Sequence, residues 1–249
     1  MTLLTELSVM MVEPKYGLNI GYVARTMMNF GIDKLIVTGL GELPEDAYKF
    51  SAHAKGIVKN AVLGNFDEEV AKFDLRMATT ARPSASSKNV NRRAMTPEAA
   101  FSRARMFKRA LLILGRDVSG LNNRELSACD YVISIPASRA YPTLNISHAL
   151  AILLYLWKGA PASRRRSRIR TEERNAALEY AGAVADGIGL SEERKKRTLK
   201  LIKGITVDYI TTEEDLVTLL GFLRRTRIAL ARGAEGRQAN LFKTSDYRG

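Results

Sequence analysis

Short apolar runs alternate with segments of helical periodicity through the first 158 residues, and this alternation constrains the fold more than any other feature of the chain. The apolar runs are Leu7–Val12, Lys34–Thr38, Leu75–Thr80, Ala110–Leu114 and Tyr131–Ile135, with a weaker candidate at Ala61–Phe66. The helical segments are Asn19–Phe30, Glu45–Lys55, Asp67–Phe73, Pro97–Met106, Asn122–Ala128 and Asn145–Trp157. Short, continuously apolar strands are typical of strands buried on both faces. The pattern therefore predicts an α/β domain with a mostly parallel sheet covered by helices.

The pattern changes after residue 158. Residues 159–170 include five arginines among the seven residues from Arg164 to Arg170, and like charges at this density oppose a local helix. Three helical patterns follow, at Thr171–Asp186, Ser191–Ile202 and Thr212–Ala231. Residues 235–249 show no periodicity, so the sequence leaves open whether they are ordered or disordered. We predict an α/β domain at 1–158, an arginine-rich linker at 159–170 and a small all-α module at 171–249.

Three polar segments adjoin the predicted elements at places where a ligand could bind. Tyr141–Ala149 contains a proline-fixed turn and runs directly into Leu150–Trp157, which is too apolar for an ordinary surface helix. Leu114–Leu121 leaves a buried strand through a loop with two glycines, and Asn19–Arg25 begins a helix. Ligands of open α/β sheets bind beyond the carboxyl ends of the strands. These segments are therefore the candidate binding loops.

The polar residues of these segments also have structural explanations. Asn19 and Asn145 each stand where an N-cap residue would stand. Arg116 and Asp117 could form an ion pair within a tight turn, and Arg25 could be a solvated residue in the middle of its helix. The local pattern leaves both readings open.

The charge of the chain indicates a polyanionic partner. The formal net charge is +13 and the sequence pI is about 10.0. Residues 1–158 carry 20 Lys/Arg and 14 Asp/Glu, whereas the shorter stretch 159–249 carries 19 and 12, so the second stretch is the denser cationic surface. A polar loop after Leu75–Thr80 adds Lys88, Arg92 and Arg93, which suit phosphate contacts. Solubility alone is the remaining explanation of this charge.

Several classes of protein are excluded. A single cysteine, Cys129, and two histidines, His53 and His148, argue against disulfides and zinc, and we expect no metal. No apolar run approaches the roughly 20 residues of a membrane span, and the N-terminus lacks the pattern of a signal peptide, so we expect a cytoplasmic protein without membrane contact. Gly39-Leu40-Gly41 follows a strand, but Pro44 occupies the third glycine position of a dinucleotide-binding loop.

Taken together, the three blocks resemble the SpoU/TrmH class of SPOUT methyltransferases. They match N-x-G-x-x-A-R at Asn19–Arg25, G-R-[ED]-x-x-G-L at Gly115–Leu121 and P-[ST]-L-N-[LI]-S at Pro142–Ser147. The resemblance covers residues 1–158 and implies an α/β trefoil-knot fold, which sequence physics alone would not predict. It also implies that S-adenosylmethionine is bound in the knot loops and that the domain forms a homodimer.

The resemblance also assigns roles to individual residues. The catalytic group it implies is Arg25, Asn19, Asn145, Asp117 and Ser147. The cofactor pocket it implies is lined by Thr79, Thr80, Ala81, Leu114, Gly115, Arg116, Ile135, Pro136, Thr143 and Leu144. The RNA-binding residues expected with it are Lys88, Arg92, Arg93, Arg164, Arg165, Arg166, Arg168 and Arg170. The second block commonly has Glu where this chain has Asp117, so the acid is kept here with a side chain that is one methylene shorter.

The order of the predicted domains narrows the choice of substrate within this class of methyltransferases. The α/β domain begins at residue 1, and a basic helical module follows it. This layout resembles tRNA 2′-O-methyltransferases, archaeal ones in particular, that act on nucleotide 32 of the anticodon loop. The alternatives are an enzyme of the same fold that methylates another tRNA or rRNA nucleotide, a catalytically silent RNA-binding protein on this scaffold, and a helical nucleic-acid-binding protein with an unrelated α/β domain.

Overall fold

The computed structural model divides the chain into two compact units, Met1–Arg166 and Ser167–Gly249. The structure describes residues 5–83, 94–138, 140–160, 171–208 and 213–234. The predicted linker from residue 161 onward and the C-terminal segment at 235–249 lie outside the described residues.

The first unit contains one six-stranded sheet. Its strands are β1 (Glu6–Val12), β2 (Leu35–Thr38), β3 (Val62–Gly64), β4 (Leu75–Thr79), β5 (Arg109–Leu114) and β6 (Tyr131–Ile133). Their spatial order is β3-β2-β1-β5-β4-β6, and every neighbouring pair is parallel. The predicted α/β class with a parallel sheet is confirmed.

Seven α-helices accompany this sheet in the described part of the first unit. They are α1 (Gly17–Asn29), α2 (Glu45–Phe50), α3 (Lys55–Lys59), α4 (Phe66–Ala71), α5 (Pro97–Ala104), α6 (Asn123–Ala128) and α7 (Ile146–Gly159). The prediction of one helix over Glu45–Lys55 is wrong, because Ala52 has a φ of 49° and the helix breaks there into α2, a 3₁₀ turn and α3. The predicted strand Ala61–Phe66 shortens to the three residues of β3, which lies at the sheet edge with Val62 and Leu63 partly exposed.

The centre of the sheet is fully buried, as its composition requires. Val9, Met10 and Met11 of β1 and Leu112 and Ile113 of β5 all have 0% of their surface exposed. These two strands lie side by side in the middle of the sheet, where helices cover both faces. A strand with a polar face could not occupy this position, so the continuous apolar runs follow from the topology.

The parallel arrangement brings the loops after β4, β5 and β6 to one edge of the sheet. Ala78 pairs with Ile113, and Thr79 pairs with Ile133, so the three strands end at nearly the same level. Helices α1 and α7 pack against each other, and Asn19 lies near Asn145 at their N-termini. The start of both helices therefore meets the same edge as the three loops.

The second unit contains three α-helices in its described residues. They are α8 (Thr171–Gly187), α9 (Glu192–Asp208) and α10 (Glu213–Ala234). Small residues of α8, Ala177 and Ala181, pack against Leu216 and Leu223 of α10. The predicted all-α module is confirmed as a helical region, although Thr212, where the third predicted helix begins, lies outside the described residues. None of the helices in the described ranges is long and apolar enough to cross a membrane.

Candidate active site

A cavity of about 690 Å³ opens at the carboxyl edge of β4, β5 and β6. Its walls come from the loops at 79–82 and 114–121, from Ile133 and Ile135, and from the turn at 142–146 that leads into α7. Tyr16 and Asn19, at the start of α1, complete one side. This is the place where open α/β sheets bind ligands, and the volume lies within the usual range of ligand pockets.

Most of the residues predicted to form a site meet at this cavity. The predicted residues that line it are Thr79, Thr80, Ala81, Leu114, Gly115, Arg116, Ile135, Thr143, Leu144, Asn19, Asp117 and Asn145. Pro136, Ser147 and Arg25 are not among the lining residues. The predicted RNA-binding residues Lys88, Arg92, Arg93, Arg164, Arg165, Arg166, Arg168 and Arg170 all lie outside the described residues.

Three polar side chains form a continuous chain along the cavity. The Asn19 amide nitrogen donates to Asp117 Oδ1 at 2.6 Å, and the Asn145 amide nitrogen approaches Asn19 Oδ1 at 3.5 Å, the long end of the hydrogen-bond range. Asn19 is 6% exposed, whereas Asn145 is exposed to solvent. The chain therefore runs from the partly buried Asp117 through the buried Asn19 to an exposed amide at the cavity lip.

Asp117 holds the start of α1 as well as Asn19. Its second oxygen, Oδ2, accepts the backbone N–H groups of Lys15 at 2.7 Å and Tyr16 at 3.3 Å. Tyr16 stands at the N-cap of α1 and provides no side-chain cap of its own. A carboxylate at a helix N-terminus satisfies donors there and interacts favourably with the helix dipole. Asp117 therefore holds both Asn19 and the start of α1. Its side chain, although shorter than Glu, accepts all three of these hydrogen bonds.

The expectation that Asn19 could be the N-cap of its helix is wrong. Helix α1 begins two residues earlier, at Gly17, so Asn19 lies in its first turn. A cap directs its side chain to nearby backbone, whereas Asn19 donates to a residue 98 positions away. The sequence could not show this, because the group that caps α1 belongs to a distant loop.

Asn145 does cap its helix, and it does so with the oxygen that the polar chain leaves unused. Its Oδ1 accepts from the Ser147 backbone N–H at 2.9 Å and from the Ser147 hydroxyl at 2.8 Å. These two bonds fix which end of the amide is oxygen and turn the nitrogen toward Asn19. Asn145 therefore both caps α7 and lines the cavity, and its hydrogen bonds with Ser147 fix the orientation of its side chain.

The alternative explanation of Arg116 and Asp117 as an ion pair with each other is also wrong. The Arg116 guanidinium instead binds two other carboxylates: Glu13 through Nε at 2.9 Å and Nη2 at 2.8 Å, and Glu125 through Nη1 at 3.0 Å and Nη2 at 2.9 Å. Hydrogen bonds from Arg116 lower the pKa of the Glu13 carboxyl below its ordinary value. Hydrogen bonds to Glu125 and then Glu13 raise the pKa of Arg116. Both bidentate faces of this arginine are thus engaged within the protein.

Gly115 is required by the loop itself. A Cβ at this position would lie 2.5 Å from the Gly120 carbonyl carbon and 2.6 Å from the Leu121 nitrogen, which are backbone atoms that cannot yield. Gly120 has a φ of +69°, in the region that favours glycine. The two glycines therefore let the loop fold back on itself and form a compact wall of the cavity.

Sequence reasoning missed several residues of the site. Tyr16, Arg82, Ile133 and Leu153 line the cavity from outside the candidate binding loops, and Val118, Ser119 and Ala149 line it from within those loops without having been singled out. Ala149 and Leu153 lie one and two turns into α7, at the helical spacing that could have placed them beside Asn145. Tyr16 carried no local signal, because it precedes the helix that the pattern predicted.

Arg25 stands apart from this cavity. It lies on α1, six residues beyond Asn19, which corresponds to about 9 Å along the helix axis. Its side chain is exposed. Within its own chain, therefore, Arg25 does not form part of the cavity wall.

Comparison with known proteins finds relatives of the first unit in the class that the three sequence blocks resemble. A model of the SpoU rRNA Methylase family matches residues 6–155. The tRNA (cytidine-2′-O-)-methyltransferase TrmJ of Methanocaldococcus jannaschii is 38% identical over 152 residues, which are 60% of this chain and 66% of that protein. The protein of the same name from Sulfolobus acidocaldarius is 29% identical over 224 residues, which are 89% of this chain and 93% of that protein. The chain thus spans just under two thirds of the first relative and nearly all of the second.

Among solved structures, TrmJ from Z. mobilis ZM4 shares the fold with a TM-score of 0.67 at 23% identity, covering 88% of this chain and 97% of that one. The resemblance predicted from the three sequence blocks is confirmed. The cavity and all three blocks lie within the matched residues 6–155, which are more than half of the chain. The chain belongs to the SpoU rRNA Methylase family and is a methyltransferase.

Proposed function

We propose that this chain transfers a methyl group from S-adenosylmethionine to the 2′-hydroxyl of a tRNA ribose, at cytidine 32 of the anticodon loop. The observation that carries the proposal is the polar chain Asp117–Asn19–Asn145 at the lip of a ligand-sized cavity. The names of the two archaeal relatives support a cytidine ribose as the acceptor. Within this proposal, residues 1–158 are catalytic, 159–170 link, and 171–249 bind tRNA.

The cavity suits the methyl donor in size and in charge. Leu114, Ile135 and Leu144 give it apolar walls. Asp117 accepts hydrogen bonds from uncharged groups, two backbone amides and the Asn19 side chain, so these bonds leave its negative charge in place. A carboxylate in that state favours a cationic sulfonium ligand.

The protein must position a weak nucleophile rather than assist a leaving group. When bound, S-adenosylmethionine supplies an electrophilic methyl group whose leaving group is a neutral sulfide. No residue therefore has to protonate the leaving group, and the rate depends on placing the hydroxyl in line. The amide nitrogens of Asn19 and Asn145 each carry a second N–H that the polar chain does not use, and we assign these to orienting the ribose.

In this proposal, Arg25 is the residue that stabilises negative charge during the reaction. A guanidinium stays protonated in proteins, so it is a poor general base. We assign to it the stabilisation of the oxygen charge that develops as the hydroxyl loses its proton, and the binding of the adjacent phosphate, which relays that proton to solvent water.

A homodimer would bring Arg25 to a cavity. Tyr155 on α7 is 71% exposed, Ile152 one turn away is 38% exposed, and Met28 on the neighbouring α1 is 50% exposed. An exposed apolar face of this kind favours association. We propose that a second copy covers the α1–α7 face and that each copy offers Arg25 to the cavity of the other.

Two further features belong to the proposal. The trefoil knot is the chain path that the resemblance to SPOUT methyltransferases implies, and it is carried into the proposal on that ground. A tRNA substrate also favours a cytoplasmic location.

The function is tested by mapping the methylated nucleotide. The tRNA is prepared with 2′-deoxycytidine at position 32, and a matched tRNA carries the deoxy substitution at the neighbouring position 33. With labelled S-adenosylmethionine, we expect incorporation to disappear for the first tRNA and to persist for the second. Label retained in the first tRNA would show that the enzyme methylates another nucleotide.

Binding of tRNA should weaken steeply with salt. The chain carries a net charge of +13, and Arg194, Lys196 and Arg197 at the start of α9 are exposed. If these groups and the predicted arginine-rich segment contact six or more phosphates, affinity should fall about a thousandfold between roughly 50 and 200 mM salt. Fluorescence anisotropy with labelled tRNA measures this slope, and a flat dependence would contradict electrostatic binding.

A further inference from the structure

We propose that Glu13 is a positioning residue for the methyl-donor cavity, acting through Arg116 on the loop at 115–121. The inference rests on the proposed function, since it takes this cavity to be the S-adenosylmethionine site. Glu13 follows β1 and is separated by 103 residues from the arginine that it binds. No sequence block contains it.

Arg116 ties three elements together. Its guanidinium binds Glu13 at the end of β1 and Glu125 in the first turn of α6, while Nη1 also donates to the Gly120 carbonyl at 3.3 Å. Arg116 itself belongs to the loop that forms one wall of the cavity. Bidentate arginine–carboxylate pairs fix direction as well as distance. The loop is therefore held from both sides through one side chain.

The backbone of Glu13 is held in an uncommon conformation. Its φ is 44°, a left-handed value that is rare for residues other than glycine, asparagine and aspartate. Gly39, with a φ of +79°, leaves the space that the Glu13 side chain fills, and a Cβ at position 39 would overlap Glu13 Cγ. Such conformations persist where surrounding structure enforces them, and they cluster at functional sites. Gly39 of the Gly39-Leu40-Gly41 pattern, which Pro44 excludes as a dinucleotide-binding loop, thus makes room for Glu13.

The two carboxylates on Arg116 differ in what they do. Glu125 is 5% exposed, and its side chain accepts the Asn122 backbone N–H at 2.8 Å in the capping box of α6, so its removal would disturb folding. The Glu13 side chain is 53% exposed. Exposed ion pairs contribute little to folding stability. The uncommon backbone conformation of Glu13, whose side chain is half-exposed, is therefore better explained by its role in orienting the loop than by a contribution to folding stability.

The test replaces Glu13 with Gln, which keeps the shape but offers an amide N–H₂ where Arg116 needs an acceptor. Glu6→Gln is the matched control, because Glu6 begins the strand that Glu13 follows, has a 55% exposed side chain and pairs with Lys34 at 3.3 Å at the opposite end of that strand. Calorimetry on the full chain should give a Kd for S-adenosylmethionine raised about five- to tenfold in Glu13→Gln. We expect the control to bind as the wild type does, and the melting temperatures of the two unliganded variants to agree.

A second variant tests the same contact from the other side. Gly39→Ala should displace the Glu13 side chain and raise the Kd similarly, and adding Gly39→Ala to Glu13→Gln should raise it little further. A Kd unchanged in Glu13→Gln, or raised only in proportion to a lower melting temperature, would overturn the positioning role. Wild-type protein that does not bind S-adenosylmethionine would instead overturn the proposed function, and this inference with it.

Discussion

Two inactive variants, Arg25→Ala and Asn145→Ala, should form an active enzyme when they are combined in one dimer. Each homodimer should lose about a hundred- to a thousandfold in turnover, because each lacks a group that stabilises or positions the reacting oxygen. Arg25 does not line the cavity of its own chain, whereas Asn145 does. In a heterodimer, the cavity of the Arg25→Ala copy keeps its Asn145 and receives Arg25 from the other copy. One of the two sites is then complete, so activity should return to about half of the wild-type value.

The heterodimer is made by co-expression with two different affinity tags and purified through both. The control combines Arg25→Ala with the double variant Arg25→Ala/Asn145→Ala, in which no copy can supply Arg25, and it should stay inactive. An inactive heterodimer would place Arg25 in its own chain's site and remove the main reason for the proposed dimer. Light scattering on the wild type gives the oligomeric state independently.

The sheet and the position of the cavity could be predicted from local patterns. Runs such as Leu7–Val12 and Ala110–Leu114 are continuously apolar because β1 and β5 are central strands buried on both faces. The loop glycines Gly115 and Gly120 marked the point where β5 ends, and parallel strands place such points at one edge. Each of these inferences needs only neighbouring residues and the geometry of a parallel sheet.

The contacts that orient the site could not be predicted in this way. Asp117 caps a helix that begins 100 residues earlier in the chain, and Glu13 binds Arg116 across 103 positions. Neither pair leaves a periodic signal, because a single hydrogen-bonded pair between distant loops imposes no spacing on either segment. The local pattern instead suggested the nearest partners, Arg116 with Asp117 and Asn19 with its own helix, and both suggestions were wrong.

Replacing Asp117 with Asn should slow methyl transfer about a hundredfold, which is the second large effect that we expect. All three partners of Asp117 are donors: the Asn19 amide and the N–H groups of Lys15 and Tyr16. An asparagine has only one side-chain oxygen. Its N–H₂ group must therefore face either the Asn19 amide or the backbone N–H groups, and both of these are donors. If it faces Asn19, the Asn19 amide nitrogen loses its hydrogen-bond acceptor, and the Asn19 side chain is no longer held in the orientation that meets Asn145. If it faces the backbone, the start of α1 loses its cap, with a cost of about 1–3 kcal/mol in folding free energy.

Asp117→Glu is the informative companion, because it keeps the charge and restores the residue common in the second block. The three bonds fit the shorter side chain, with Oδ1 at 2.6 Å from Asn19 and Oδ2 at 2.7 Å from the Lys15 nitrogen, so an added methylene must shift one of them. We therefore expect Asp117→Glu to fall between the wild type and Asp117→Asn in single-turnover rate at saturating S-adenosylmethionine. Circular dichroism establishes that each variant is folded at the assay temperature. Asp117→Asn with a wild-type rate would show that the polar chain is structural, and the orienting role of Asn19 would then have to be abandoned.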